Sequence, residues 1–326
     1  MFINVGGRTD IVNYYSEWLI NRIREGYVFS RNPLFQEKVS KYKLDPGVVD
    51  CIIFCTKNPK PIMDKLDEIK ARGFKMFFYI TITSYGKDME PGVPDYNEMI
   101  EAFKELSDAV GKNNLCWRYD PVFVTPKYTI EHHLKCYNEM AEKIAPYTNF
   151  CIFSFVEMYK KLSFTFPELR AVSGEEKIVL LQGMGRIAQR HKLRIQTCGD
   201  DNDYTEYGIN RSGCITVPII EKAIGKELKA KVKPTRKGCG CIPSNDIGAY
   251  NTCPNGCKYC YATNDPNLAI RNYKMHNPKS PILIGELKAT DIITDARQVS
   301  FKTQHGKEGL LWDCLCRFTS DSDFFT

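Results

Sequence analysis

Residues 51–83 read CIIFCTKNPKPIMDKLDEIKARGFKMFFYITIT. The stretch opens on an unbroken apolar run, Cys51–Cys55, short enough for a strand buried on both faces. Pro59 and Pro61 follow where a helix can begin without losing hydrogen bonds, and Ile62, Leu66 and Ile69 recur at helical spacing. Lys75–Thr83 is then dense in β-branched and aromatic residues, which favour a strand. Strand, helix, strand with an apolar run at each end predicts a parallel βαβ unit.

Working outward, the same alternation continues in both directions. Phe2–Val5, Leu115–Tyr119, Phe150–Val156 and Leu193–Thr197 read as further strands. Helical spacing joins Ile11, Tyr15, Trp18, Leu19 and Ile23, then Met99, Phe103, Leu106 and Val110. It also joins Ile130, Leu134, Tyr137, Ala141 and Ile144, and marks a helix over Glu175–Gln189. Asp10 stands where it can cap the helix opening at Ile11. Strands alternating with helices predict an α/β fold, a (βα) barrel, full or partial. We expect residues 1–197 to form that core, 198–302 a cysteine-rich section completing the barrel, and 303–326 a divergent tail.

Composition bounds the rest. The chain has 326 residues, 43% hydrophobic and 26% charged, with a net charge of +6. Those proportions fit a globular protein with a large core. No run of some 18 apolar residues is present, so no membrane span is expected. The N-terminus, MFINVGGRTD, carries no secretory pattern, so the expected compartment is the cytoplasm, where thiols stay reduced. Fourteen cysteines there read as metal ligands, catalytic thiols or small apolar side chains, not as a disulfide frame. The segment 221–238 holds seven Lys or Arg against two Glu, either a phosphate contact or a solvated helix and linker. No aromatic residue interleaves with those charges. Five histidines leave little room for chemistry built on several imidazoles.

Seven of the cysteines fall between residues 198 and 265, three of them in NTCPNGCKYCYA (251–262). A closed structural zinc site wants four ligands, and a four-iron cluster is usually held by four cysteines. Three close thiolates, Cys253, Cys257 and Cys260, would leave one iron open, and Pro254 and Gly256 let a short loop wrap a cluster. A zinc knuckle with a fourth ligand elsewhere is the alternative. Cys198, Cys214, Cys239 and Cys241, each beside a glycine that allows close backbone approach, would make a second centre, an iron–sulfur cluster or zinc. Cys51, Cys55, Cys116, Cys136 and Cys151 lie in predicted strands or a helix and read as core. Lys57, Arg118, Asp120 and Glu157 each fall at or just past a strand's C-terminal end, the edge where barrels build their sites, and are the candidate catalytic groups.

CPNGCKYC resembles the C-x-x-x-C-x-aromatic-C signature of radical S-adenosylmethionine (radical SAM) enzymes. That resemblance implies a [4Fe-4S] cluster on Cys253, Cys257 and Cys260 whose open iron binds S-adenosylmethionine and cleaves it reductively to a 5′-deoxyadenosyl radical. It implies that Gly6, Gly7 and Tyr259 help seat the cofactor, and that a reductase, ferredoxin or flavodoxin supplies the electron. The order GGRTD (6–10), TKNP (56–59), TIT (81–83) and WRYDP (117–121) is similar to the succession that follows the cysteine loop in spore photoproduct lyase and its relatives. There the loop comes first; here it comes last, as in a circular permutation with Asp246–Tyr250 as the displaced strand. Arg8 stands where the resemblance expects Glu. The chain to about Lys302 also resembles a bacterial family of unknown function with an INVGGRTDI-like opening and a C-terminal cysteine cluster. Cys314 and Cys316 lie beyond that resemblance. The substrate would be a small molecule or nucleotide, with nucleic acid admitted by the photoproduct-lyase likeness and the basic segment. Two other readings stand beside this one: a non-enzymatic iron–sulfur electron carrier or redox sensor, and a zinc-stabilised nucleic-acid-binding protein.

Overall fold

The computed structural model describes residues 1–234, 236 and 238–303. In chain order the strands are β1 (Phe2–Asn4), β2 (Tyr27–Arg31), β3 (Lys38–Lys43), β4 (Cys51–Thr56), β5 (Met76–Thr81), β6 (Leu115–Val122), β7 (Phe150–Phe155), β8 (Arg194–Thr197), β9 (Ile209–Arg211), β10 (Ser244–Asp246) and β11 (Ile292–Asp295). The helices are α1 (Ile11–Tyr14), α2 (Ser16–Glu25), α3 (Lys60–Met63), α4 (Leu66–Ala71), α5 (Tyr96–Val110), α6 (Ile130–Ile144), α7 (Leu162–Thr165), α8 (Gly174–Arg190), α9 (Val217–Ile224) and α10 (Pro266–Lys274).

The main sheet has eight strands in the order β10-β1-β4-β5-β6-β7-β8-β9, and each neighbouring pair is parallel. Helices cover it, consistent with a partial (βα) barrel. The six expected strands are all present, within a few residues of the expected bounds. The strand expected at 246–250 instead runs over Ser244–Asp246 and pairs with β1, Phe2 opposite Ser244 and Asn4 opposite Asp246. The reason lies in Asp246, whose Oδ1 accepts the Gly248 N–H at 2.8 Å and turns the chain out of the sheet.

Side chains alternate across each strand. One face, with Phe54, Phe78, Trp117, Tyr119 and Phe153, packs against Trp18, Phe103, Tyr137 and Leu181 of the helices. The other, with Phe2, Ile53, Phe77, Tyr79 and Ile152, is covered by Ile215, Ile219, Ile220, Ile224 and Leu228. The basic run therefore begins on a helix, α9, whose apolar face closes the sheet. Asp10 does cap α1, accepting the Asn13 N–H at 3.1 Å. The helix predicted from Ile11 to Ile23 breaks at Tyr15, whose φ of −135° is not helical.

A second sheet, β11-β3-β2, pairs an antiparallel hairpin with a parallel third strand. The sequence reading assigned no strands there, because these strands are half-exposed and their apolar residues are sparse. Among the described residues no helix is long and apolar enough to cross a membrane. Cys314 and Cys316 lie outside the described residues.

Candidate metal and cofactor site at the C-terminal edge of the sheet

The strand ends carry the polar groups. Gly6 and Gly7 follow β1, Lys57 follows β4, Thr83 follows β5, Arg118 stands midway along β6 and Asp120 towards its end, and Cys198 follows β8. Each strand delivers its last side chains to one edge because all run the same way. Arg118 points across the sheet: Nη1 donates to Cys55 Sγ at 3.3 Å and Nη2 to Asp120. Asp120 in turn accepts from the Ser154 hydroxyl. Burial works against the charge on Arg118, but Asp120, Cys55, Cys214 and Cys198 outweigh it and hold its pKa well above the ordinary value.

Beside Arg118 lies a compact thiol trio. Cys198, Cys214 and Cys241 have their sulfurs all within 4.8 Å of one another, and the Cys214 and Cys241 sulfurs are 3.3 Å apart. The trio can hold a metal ion. Two backbone contacts bring it about. A Cβ on Gly213 would come within 2.4 Å of the Gly240 carbonyl, so only glycine lets these two segments cross so closely. The Gln196 side-chain amide, at the end of β8, ties Gly213 O at 3.1 Å. Hydrogen bonds from Cys214 and Cys241, with Arg118 adding its field, hold Cys198 low, toward the thiolate. Sharing protons with Cys198 raises Cys214 and Cys241 correspondingly. Cys239, half-buried, is not in this group.

The loop 251–262 leaves the end of β10 and is pinned from several sides. Asn255 is buried, and its Oδ1 accepts from the Tyr14 hydroxyl at 2.8 Å. Its carbonyl accepts the Gly92 N–H at 2.8 Å, and the Lys258 N–H donates to Met89 O at 3.1 Å. Tyr15 donates to Thr252 O, and Tyr261 to Gly7 O. Gly256 has a φ of +66°, which glycine adopts freely. Cys253, Cys257 and Cys260 are half-buried, and among the described residues their sulfurs do not form a group within 4.8 Å of one another. Burial pushes the Cys253 thiol up to about 12 and Cys257 well above its ordinary value, the latter opposed by Lys57.

Lys57 sits between the loop and Glu90, a residue the sequence reading did not single out. Its Nζ lies 2.9 Å from Glu90 Oε1, which also accepts from Thr83 Oγ1 at 2.7 Å and from the Tyr259 hydroxyl. Burial disfavours the ammonium, yet Glu90, Cys257 and Asp120 outweigh it and raise the Lys57 pKa. Glu90 precedes Pro91-Gly92 in a turn-rich loop, and only the fold brings it under Tyr259. The Tyr259 ring packs against Tyr85 and Phe123, at centroid distances of 5.7 and 5.6 Å.

Gly6 and Gly7 are placed by sterics: a Cβ would meet Cys55 O at 2.1 Å and Asp246 Oδ2 at 2.5 Å respectively. Their N–H groups donate to Asn4 Oδ1 at 3.0 Å and Asp246 Oδ2 at 2.7 Å. Arg8 Nε lies 3.9 Å from Asp246 Oδ1. Glu157 is exposed and pairs with Arg236 and the Tyr159 hydroxyl. Cys51, Cys116 and Cys151 are buried, whereas Cys55 and Cys136 are half-buried and Cys55 faces Arg118.

Fold and site together define an α/β protein built on a parallel sheet whose C-terminal edge gathers cysteines, one close trio of which can hold a metal ion. The chain belongs to the DUF1848 family, a domain of unknown function whose model matches residues 2–262. No curated protein matches it. A solved hyperthermostable endocellulase is similar at 12% identity and a TM-score of 0.32, over 53% of this chain and 57% of that one. The chain thus spans a little over half of that protein's length, and a likeness of that degree carries no argument.

Proposed function

We propose that the protein is an iron–sulfur enzyme of the radical SAM type, with Cys253, Cys257 and Cys260 holding a [4Fe-4S] cluster and its open iron taking S-adenosylmethionine. One observation carries the reading. The cysteine loop leaves β10, and β10 lies at the sheet edge beside β1. In spatial order the loop therefore precedes GGRTD, TKNP, TIT and WRYDP, on β1, β4, β5 and β6. That is the order of the radical SAM resemblance, with the chain permuted.

The donor set fits. Thiolates on separate irons of a cluster stand further apart than thiolates sharing one ion, and the loop sulfurs, unlike the trio, do not all lie within 4.8 Å of one another. Lys57 offers a cation beside Cys257, which offsets the negative charge of a thiolate-bound cluster. When bound, such a cluster supplies the single electron that breaks the sulfonium bond; the protein's part is to hold and orient. Asp246, bonded to the Gly7 N–H, supplies beside that glycine the carboxylate expected at position 8. Arg8, held beside Asp246, would face the carboxylate of S-adenosylmethionine. Tyr259 fixes the loop through Glu90, and with Gly6 and Gly7 it would help seat S-adenosylmethionine. Arg118 and Asp120, on β6 beside the trio, would face a small-molecule or nucleotide substrate. A ferredoxin- or flavodoxin-type donor completes the reading.

The test uses protein purified without oxygen. About four irons and four sulfides per chain are expected on Cys253, Cys257 and Cys260, and dithionite with S-adenosylmethionine should yield 5′-deoxyadenosine. Cys257→Ala should abolish both. Zinc with no iron after anaerobic reconstitution would overturn the reading in favour of a zinc-stabilised protein, and iron that never cleaves S-adenosylmethionine would favour an electron carrier.

A further inference from the structure

We propose that Cys198, Cys214 and Cys241 bind one thiophilic divalent cation, zinc(II) by their chemistry, as a mononuclear centre separate from Cys253, Cys257 and Cys260. The inference does not rest on the radical SAM reading.

Sulfur spacing comes first. Zinc–sulfur bonds of about 2.3 Å in a tetrahedron set sulfurs about 3.8 Å apart. The trio lies within 4.8 Å throughout, with one pair at 3.3 Å, so each sulfur needs to move by only about an ångström to share one ion. A multi-iron cluster would have to force these segments apart, and the Ile242 N–H, bonded to Ile215 O at 2.8 Å, resists that.

Charge agrees. Three thiolates and a dication leave one net negative charge, and the Arg118 guanidinium, held by Cys55 and Asp120, lies near enough for its charge to act on Cys198 and Cys214. The Ile215 N–H points at Cys241 Sγ, 3.4 Å away, a backbone donor suited to a sulfur that carries charge. The three residues come from three distant points: the end of β8, the turn after β9 and the approach to β10. An ion there fastens the segment 214–241, including α9, across one face of the sheet. Among the described residues no fourth His, Cys, Asp or Glu joins the group, so the fourth position is left to water or a bound molecule, which is the form of a reactive zinc site and not of a closed structural one.

Metal analysis of the purified full chain tests this. About one zinc per chain is expected, retained in Cys257→Ala and lost in Cys198→Ser and Cys214→Ser. Cobalt(II) titrated into the metal-free wild-type chain should give intense tetrahedral ligand-field bands and sulfur-to-cobalt charge transfer, both perturbed by added cyanide and both unchanged in Cys239→Ser. The cobalt spectrum is read on wild-type protein, so a variant that fails to fold leaves the proposal exposed. Absence of tetrahedral cobalt bands would overturn it. So would zinc retained in folded Cys214→Ser, or loss of iron and sulfide, with zinc unaffected, in Cys198→Ser. Failure here leaves 5′-deoxyadenosine formation untouched, and failure there leaves the zinc count untouched.

Discussion

His133, on α6, is fully buried and held at both ring nitrogens. Nε2 lies 2.8 Å from Phe123 O, which can only accept, so Nε2 carries the hydrogen. Nδ1 lies 2.8 Å from the Tyr119 hydroxyl and accepts from it. A second proton on Nδ1 would make the Tyr119 hydroxyl turn to accept it, and burial lowers this pKa from 6.5 to about 4. The unfolded chain binds that proton near pH 6.5 and the folded chain only near 4, so the stability that neutral His133 contributes is present above 6.5 and is lost as pH falls through that window. At about 1.36 kcal/mol per pK unit the loss approaches about 3 kcal/mol. Urea unfolding at pH 7 and pH 4.5 should reveal it, and the pH slope should shrink in His133→Gln. An unchanged slope in that variant would place the titration elsewhere. No sequence pattern marked this histidine, because its role depends on Tyr119 and Phe123 arriving from β6 and the chain just past it.

At the scale of elements, β4, the 84–93 turn and the cysteine loop meet at Lys57 and Glu90. Both side chains are largely removed from water, and Glu90 collects Lys57, Thr83 and Tyr259 on one oxygen. Removing one partner of such a pair leaves a buried charge uncompensated and costs about 3–5 kcal/mol. Lys57→Met should therefore destabilise the chain by that order and loosen Tyr259. Lys57→Met with Glu90→Gln should recover most of the loss. Urea unfolding of the three variants forms the double-mutant cycle, and additive losses would show the two residues to be uncoupled.

The reach of sequence reading is also clearest at this scale. Strands β4 to β8 announce themselves as apolar runs because both faces are buried. The hairpin β2–β3 does not, since its residues are half-exposed and alternate weakly. The thiols of the loop are legible because their spacing is local. The trio is only partly so: CxC and two glycine-flanked cysteines are visible, but which sulfurs meet is decided by the Gly213–Gly240 crossing. Glu90, Asp246 and Cys55 act through contacts more than 30 positions away along the chain, and nothing local to them signals it.

For the whole molecule the telling contact joins the N-terminus to the last described residues. The Met1 amino group donates to Val299 O at 2.7 Å, and the Phe2 and Phe301 rings pack at 5.3 Å. Thr303 is four residues on, so it lies within about 14 Å of Val299. With residues 304–326 removed, a linker of about six residues can join Thr303 to Met1. Opening the chain before Val232, an exposed loop position, would then place β10 and the cysteine loop ahead of β1 and leave every sheet pairing possible. The junction removes the Met1 charge that pairs with buried Asp50, but Lys302 Nζ at 3.6 Å, the Ser300 hydroxyl and the Phe301 N–H still face that carboxylate. The permuted chain should therefore fold cooperatively, less stable than the parent by about 2–3 kcal/mol, with the same iron and zinc content per chain. Urea unfolding and metal analysis check both halves of that expectation. A permuted chain that folds but loses iron would mean that the loop needs its present connection to the residues before it, not merely its place beside β1.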